Sequence, residues 1–130
     1  MERIGSTLTN RLVLRTVQPC SICIVPYRDI IRIEAAQDYV HFYTSTEYKA
    51  KIPYLRSHTS MRKTLEKLPI KFIRPHVSHV VNIDHIRSFT VHDIEMSDGS
   101  IVPIGNNFGT NFRKIISELY PVFNKAKGPV

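Results

Sequence analysis

Short runs in which polar and apolar residues alternate recur along this chain, and they constrain its fold more than any other feature. In residues 39–44, for example, Val40 and Phe42 fall on one face of an extended strand, and the polar and aromatic neighbours fall on the other. Turn signals such as Asp98-Gly99 separate the runs. No βαβ alternation occurs, so the pattern predicts a mainly β, antiparallel fold.

The turn signals divide the chain into about nine strand candidates and two helices. Strands are predicted at residues 11–17, 20–25, 30–35, 39–44, 47–52, 86–91, 94–97 and 101–104, with further strand propensity in 71–86. After Pro53 the apolar period changes from two to about 3.6, which predicts a short helix capped by Thr59 or Ser60. Its apolar face carries Met61, Leu65 and Leu68. A second helix is predicted over residues 107–120.

Length, charge and hydropathy bound the class of protein. At 130 residues, 42% of them hydrophobic, the chain suits one globular domain, predicted at 11–120 between a loose lead-in (1–10) and a tail (121–130). Eighteen Lys plus Arg against eleven Asp plus Glu give a net charge of +7, which favours a nucleic-acid partner. No apolar run approaches the roughly 20 residues that cross a bilayer, and no apolar signal core begins the chain. A cytoplasmic protein without a membrane partner is predicted.

The motifs give little support to catalysis. No glycine-rich phosphate loop follows a strand, no serine occupies a nucleophile elbow, and no His, Asp and Glu set has metal-ligand spacing. Cys20 and Cys23 match a Cys-x-x-Cys spacing, but in a strand they would point to opposite faces. By the same reasoning His76 and His79 should diverge. The sequence therefore predicts no enzyme, no cofactor, no metal and no small-molecule substrate.

The stretch 71–86 carries many hydrogen-bond donors among β-branched residues. Pro75 lacks a backbone N–H, so this stretch is predicted to lie at a sheet edge, a bulge or a bend. Cationic side chains such as Arg74 suit an anionic or acceptor-rich partner. Residues 71–78 are therefore predicted to face a partner, and residues 80–86 to form the strand and turn that support them.

Three loops, at residues 37–39, 74–79 and 105–107, carry groups that can pair with base edges or phosphate. Each has a structural alternative as well. Gln37-Asp38 can close a hairpin, Asn106 and Asn107 can cap the last helix, and Asn82 can bond its own turn. For Asn82 the structural role is favoured.

Several segments together resemble the LytTR DNA-binding domain. They are Arg28-Asp-Ile-Ile-Arg-Ile-Glu34, Tyr39-Val-His-Phe42, Met61-x3-Leu65-x2-Leu68, Ile101-Val-Pro-Ile104 and Phe-x-Arg-x-His-x-Ser-x-x-Val-Asn at Phe72, Arg74, His76, Ser78, Val81 and Asn82. The resemblance runs from about Leu12 to Tyr120. It implies an elongated, antiparallel β-sandwich of about nine to ten strands with two short amphipathic helices. It also implies loops that enter successive major grooves of DNA, usually with two copies on direct repeats.

The resemblance implies base contacts near Tyr39, just after His76 and after Ile104, and the last two positions depart from the family pattern. Val77 replaces a commonly polar or basic residue, and Gly-Asn-Asn at 105–107 replaces a common Ser-Arg. Valine suits a thymine methyl, and asparagine suits an adenine edge. The predicted base-reading residues are Tyr39, Val77, Asn106 and Asn107, and the predicted phosphate contacts are Lys71, Arg74, His76, Ser78 and His79.

The predicted function is sequence-specific binding of double-stranded DNA by a bacterial transcriptional regulator, with a second copy on a repeated site. The family domain usually follows a receiver domain, whereas about ten residues precede the first strand here, which suits a free-standing regulator or an excised fragment. One alternative is a protein-interaction module that has lost base specificity. Another is single-stranded RNA binding through the face that carries Tyr39, His41 and Tyr43.

Overall fold

Ten strands and two α-helices form the part of the chain that a computed structural model describes, residues 10–15, 22–45, 54–57 and 60–120. The strands are β1 (Arg11–Arg15), β2 (Ile22–Pro26), β3 (Ile30–Ala36), β4 (Tyr39–Thr44), β5 (Tyr54–Ser57), β6 (Phe72–His76), β7 (His79–Asn82), β8 (Ile86–Phe89), β9 (Asp93–Met96) and β10 (Ile101–Pro103). The helices are α1 (Met61–Glu66) and α2 (Gly109–Leu119). All pairings among these strands are antiparallel, so the predicted mainly β, antiparallel fold with two helices is confirmed.

The strands form three sheets, of which the central one has the order β5-β4-β3-β7-β6. The other two are the hairpin β1-β2 and the sheet β10-β9-β8. In the central sheet, two-residue turns join β3 to β4 and β6 to β7. Glu34, near the end of β3, pairs with His79 at the start of β7. Both turns therefore lie at the same end of the central sheet.

Strands β3, β7 and β6 of the central sheet are buried on both faces because their apolar residues are divided between two hydrophobic cores, whereas β4 packs into the first core only. One core joins the sheet to β1, β2 and α1, and contains Leu12, Leu14, Val25, Ile30, Ile33, Val40, Phe42, Met61, Phe72 and Val80. The other joins it to β9, β10 and α2, and contains Ile31, Ile73, Val81, Ile83, Ile94, Met96, Val102 and Phe112. Each side chain of this size contributes about 1.5–3 kcal/mol when fully buried. The turns are thus carried by strands that pack into these two cores.

The alternation predicted for β4 is confirmed. Val40, Phe42 and Thr44 are buried, while the residues between them are half-exposed. Gln37 adopts a φ of 57°, in the left-handed region, and with Asp38 it closes the β3-β4 hairpin, as one of the two readings of this pair predicted. Gly99 has a φ of 89° in the turn between β9 and β10, which confirms the hairpin signal there.

Pro75 has the effect on β6 that its missing N–H predicts. Among the described strands β6 pairs with β7 alone, so it is an edge of the central sheet. The register between β6 and β7 shifts between Ile73 and His76, which marks a bulge around Pro75. The next residues, Val80, Val81, Asn82 and Ile83, are buried. Residues 80–83 thus form the predicted supporting strand, but Phe72, Ile73 and Pro75 in the predicted outer half are buried as well, so only part of residues 71–78 is left to face a partner.

The strand β5 was not predicted. Its four residues follow Pro53 directly and precede a helix, so they are too few to show a period of two. The helix itself is confirmed: α1 follows Ser60, whose Oγ accepts a hydrogen bond from Lys63 N at 3.1 Å. The strand predicted at 47–52, the lead-in up to residue 9, the tail 121–130 and Cys20 lie outside the described residues.

Candidate nucleic-acid interface

Three loops meet at one end of the central sheet, and this region is called the loop end below: residues 37–38, 77–78 and 105–108. Two main-chain hydrogen bonds join them. Ala35 N donates to Ser78 O at 2.9 Å, which ties the β3-β4 hairpin to the β6-β7 turn. Gly105 N donates to Pro75 O at 2.8 Å, which ties the third loop to β6. The three loops that the sequence singled out are therefore one surface, held by backbone geometry.

Val77 occupies the tip of the β6-β7 turn and is 57% exposed. A large aliphatic side chain this exposed contributes little to the core and is available for a contact outside the chain. The carbonyl behind it is held by Arg74, whose Nε and Nη2 donate to Val77 O at 3.2 and 2.6 Å. Arg74 thus bonds to the main chain of the turn that it precedes.

Asn106 and Asn107 are exposed, and neither caps α2, so the capping alternative is wrong. The helix begins two residues later than predicted, with Phe108 at the N-cap and no side-chain cap bond. The amides of Phe108 and Gly109 both donate to Gly105 O, at 3.0 and 3.2 Å, so the main chain itself closes this turn. The asparagine side chains are left to face outward.

Gly105 lies close to Phe108 within this loop and to His76 of β6. A Cβ at this position would lie 3.3 Å from Phe108 Cδ1, 3.5 Å from His76 Cδ2 and 3.8 Å from His76 Cα. The tight contact is the one with the Phe108 ring, which would have to shift by a few tenths of an ångström, whereas the two distances to His76 are ordinary van der Waals contacts. The glycine therefore eases the packing of Phe108 within this loop.

His76 and His79 do not diverge, and the prediction that they would is wrong. It assumed one continuous strand, but a two-residue turn places them opposite each other, with ring centroids 5.2 Å apart. His76 Nδ1 accepts a hydrogen bond from Ser78 N at 3.0 Å, which leaves Nε2 as the donor of the neutral ring. Within the described residues no group of three or more His, Cys, Asp or Glu is placed to hold a metal ion.

His79 is buried deeply enough to favour its neutral form. Its Nδ1 is buried and has no hydrogen-bond partner in the described part of the chain. Burial lowers the pKa of His79 below its ordinary value, and although Glu34 opposes this shift, the nearby His76 and Arg32 reinforce it. His79, the first residue of β7 after the turn, is therefore an uncharged ring at neutral pH.

Tyr39 begins β4 directly after the Gln37-Asp38 turn and is half-buried. Further along the same face, the Arg32 guanidinium lies 3.8 Å from the centre of the Tyr43 ring, and His41 meets Tyr43 edge-on at 6.4 Å. Arg32 thus covers one face of Tyr43, the ring proposed for base stacking.

Arg32 and Glu34 are structural elements of this face that the sequence reasoning missed. Arg32 Nη1 donates to Glu34 Oε1 at 3.1 Å, and its Nε donates to Ser100 Oγ at 3.1 Å, which links the central sheet to the β9-β10 turn. Burial alone would raise the pKa of Asp98, but hydrogen bonds from Ser100 and the charge of Arg32 lower it below its ordinary value. The spacing of Arg32 and Glu34, two apart on one strand face, was the available signal.

Lys71 is not brought to the loop end. It precedes β6, at the opposite end of that strand, and its Nζ lies 2.6 Å from Asp84 Oδ2. Arg113, by contrast, is exposed in the second turn of α2, and its Nη1 lies 3.2 Å from where a Cβ on Gly109 would be. The sequence reasoning missed this cation because it treated α2 only as an apolar stripe.

The family-model comparison decides the identity of the fold. The model of the LytTr DNA-binding domain matches residues 21–117. The chain belongs to the LytTR family. The matched residues include all three loops of the loop end, α1 and most of α2. No curated protein matches the sequence.

A solved structure shares the LytTR fold. It is the LytTr DNA-binding domain of a protein described as a methyl-accepting/DNA response regulator from Bacillus cereus, with a TM-score of 0.67 and 23% sequence identity. The similarity covers 82% of this chain and 96% of that chain. Within the described residues of the present LytTR chain, no helix is long and apolar enough to span a membrane.

Proposed function

We propose that the chain is a cytoplasmic transcriptional regulator that binds double-stranded DNA sequence-specifically, with the loop end in the major groove. One observation carries the proposal: three loops whose outward side chains suit base edges are joined by main-chain hydrogen bonds at one end of the sheet. Base reading needs side chains held in fixed positions. The strands that carry these loops pack into two hydrophobic cores, and this packing holds the loops in place. A net charge of +7 favours the approach to DNA.

Base reading is assigned to Tyr39, Val77, Asn106 and Asn107. Asn106 and Asn107 are exposed, and an asparagine can bond both the N6 and N7 positions of adenine. Val77 offers an apolar surface that fits a thymine methyl group. Tyr39 borders the β3-β4 turn and contributes a ring or a hydroxyl to the same groove.

Phosphate anchoring is assigned first to His76, Ser78 and Arg113, with the amides at the start of α2. His76 has its Nε2–H as a donor, and Arg113 is an exposed cation. The first turn of α2 lacks a side-chain cap, and helix N-termini favour anions. Lys71, Arg74 and His79 were also predicted to contact phosphate, but each is engaged or buried within the chain.

Selection from a random duplex library at moderate salt tests the proposal. We expect enrichment of one motif, and a repeated half-site if two copies bind together. Affinity measured against salt concentration should then fall with a slope of about −0.9 per phosphate contacted. Failure to enrich any motif would contradict base reading, and salt-independent binding would contradict the phosphate contacts.

The second candidate is a protein-interaction module built on the same scaffold. It is favoured by the uncharged loop tips, Val77 and Gly-Asn-Asn at 105–107, where the family resemblance implies a polar or basic residue and a Ser-Arg pair. In this case the library would yield no motif, and the loop-end residues would be protected from hydrogen exchange by a protein partner rather than by DNA. Competition between duplex and single-stranded nucleic acid tests the RNA alternative separately.

A further inference from the structure

We propose that Arg74 is a positioning residue: its guanidinium holds the carbonyl of Val77 and so fixes the turn that presents the Val77 side chain to a base. This inference rests on the proposed function for its effect on DNA. Its structural half concerns the unbound protein and can be tested without DNA. It gives Arg74 a role different from the phosphate contact that its charge suggests.

The first argument is the geometry of the bond. Arg74 Nε and Nη2 converge on Val77 O at 3.2 and 2.6 Å, three residues along the chain. Two charged donors on one carbonyl make a charge-assisted pair, stronger than a neutral hydrogen bond. The planar fork of a guanidinium allows this convergence, and the ammonium group of lysine does not reproduce it.

The second argument is the role of this bond in the turn. Three other contacts hold the polar groups around Val77: Ser78 O accepts from Ala35 N, Ser78 N donates to His76 Nδ1, and Pro75 O accepts from Gly105 N. The Val77 carbonyl differs from these groups because it accepts from the charged side chain of Arg74 rather than from a backbone amide or a histidine ring. The bulge at Pro75 interrupts the β6-β7 ladder between Ile73 and His76, just before this turn. Arg74 therefore stabilises the turn where strand pairing is disturbed.

The third argument is the side chain that the turn presents. Val77 is 57% exposed, so packing against the core does little to fix its direction. A base contact to a thymine methyl depends on position to a fraction of an ångström, because apolar contacts weaken quickly with distance. The direction of Val77 must then come from its backbone, and the Arg74 bond holds that backbone from the carbonyl side.

The decisive variant is Arg74→Lys, which keeps the charge and removes the fork. In the unbound protein, amide hydrogen exchange at Ser78, whose amide donates to His76 Nδ1 at 3.0 Å within this turn, should become at least several-fold faster, while the amides of β3 and β9 are unchanged. With DNA, discrimination at the base pair that Val77 reads should fall several-fold, with the slope of affinity against salt unchanged. Arg87→Lys is the matched control, because Arg87 Nη2 also donates to a main-chain carbonyl, that of Ser97, at 2.7 Å, outside the loop end.

A second measurement needs no variant. In the wild-type protein, the Arg74 Nε–H proton should be visible by NMR and exchange slowly with water, because it is bonded to Val77 O. Rapid exchange of that proton would overturn the positioning role. So would an Arg74→Lys protein with unaltered exchange at the Ser78 amide and unaltered discrimination. An Arg74→Gln protein that loses about 0.9 from the salt slope, with discrimination intact, would show a phosphate contact instead.

Failure of the proposed function would look different. If the wild-type protein selects no DNA motif, the DNA half of the test has no readout, whereas the exchange of the Arg74 Nε–H proton and of the Ser78 amide still decides whether Arg74 holds the turn. Slow exchange in the wild type and fast exchange in Arg74→Lys would then support a turn built to present Val77 to another partner.

Discussion

The two ends of the β6-β7 hairpin use their polar residues in opposite ways. At the end away from the loops, called the anchor end and comprising Lys71 and residues 82–85, the side chains bond to the protein itself. Asn82 is fully buried: its Nδ2 donates to Tyr27 O at 3.2 Å and Ile30 O at 2.9 Å, and its Oδ1 accepts from Asp84 N at 3.0 Å. At the loop end, main-chain bonds and the side chains of Arg74 and His76 hold the turns, while the side chains of Val77, Asn106 and Asn107 are exposed and bond to no described group.

This difference separates two kinds of asparagine that look alike in the sequence. Asn82 bonds two main-chain carbonyls and one amide from a fully buried position, so the predicted structural role is confirmed. Asn106 and Asn107 perform no such role in the described structure. Polar groups used internally report on stability, and polar groups left outward report on binding. The predictions below test this division.

The largest expected effect is that of Asn82→Ala. Removing the side-chain amide takes one hydrogen-bond partner each from Tyr27 O, Ile30 O and Asp84 N at a fully buried position, which should lower the free energy of unfolding by about 2–4 kcal/mol. Chemical denaturation measures it. Asn107→Ala makes the same chemical change at the loop end and is the matched control, expected within about 0.5 kcal/mol of wild type. Similar losses for both would break the division between the two ends.

The second prediction concerns DNA binding rather than stability. Asn106→Ala and Asn107→Ala should each lose about 1–3 kcal/mol of discrimination at one or two base pairs, because an adenine edge loses its partner. Binding titrations with single-base variants of the selected site measure this loss. A uniform loss across all sequences would place these residues on phosphate or sugar, and an unaltered profile would remove them from the interface.

A third prediction concerns pH and has a smaller expected effect than Asn82→Ala. Since burial lowers the pKa of His79 in the folded chain below its ordinary value of 6.5, the unfolded chain takes up the proton more readily. The contribution of neutral His79 to the free energy of unfolding is therefore fully present above about pH 6.5 and is lost as the pH falls below that value. Denaturation at a series of pH values should show a shallower loss in His79→Gln than in wild type. Parallel profiles would assign the pH dependence to other groups.

The smallest expected effect is that of Lys71→Ala. Its ion pair with Asp84 is 2.6 Å long, but the side chains are 39% and 47% exposed, so the loss of stability should be about 0.5 kcal/mol or less. Because Lys71 lies at the anchor end, we expect the DNA affinity of the Lys71→Ala protein to fall with salt concentration at the same slope as that of the wild type. A slope reduced by about 0.9 would show that DNA also reaches the anchor end.

Sequence alone determined much of this protein. Period-two alternation identified most of the strands, because a strand buried on one face leaves that pattern whatever its neighbours are. Pro75 predicted an edge and a bulge, because a missing N–H acts locally. The motif around Phe72 to Asn82 indicated the family, which the family comparison then showed. Each of these signals is contained within a few consecutive residues.

Tertiary structure decided which groups meet, both across a turn and between distant segments. The convergence of His76 and His79 follows from a two-residue turn, whereas a strand reading of the sequence set them apart. The bond from Arg74 to Val77 O, the approach of Gly105 to Pro75 and the burial of Asn82 against Tyr27 and Ile30 join groups whose partners no local pattern specifies. Residue type and spacing showed which side chains could bind DNA, but only packing showed which of them the fold had already used.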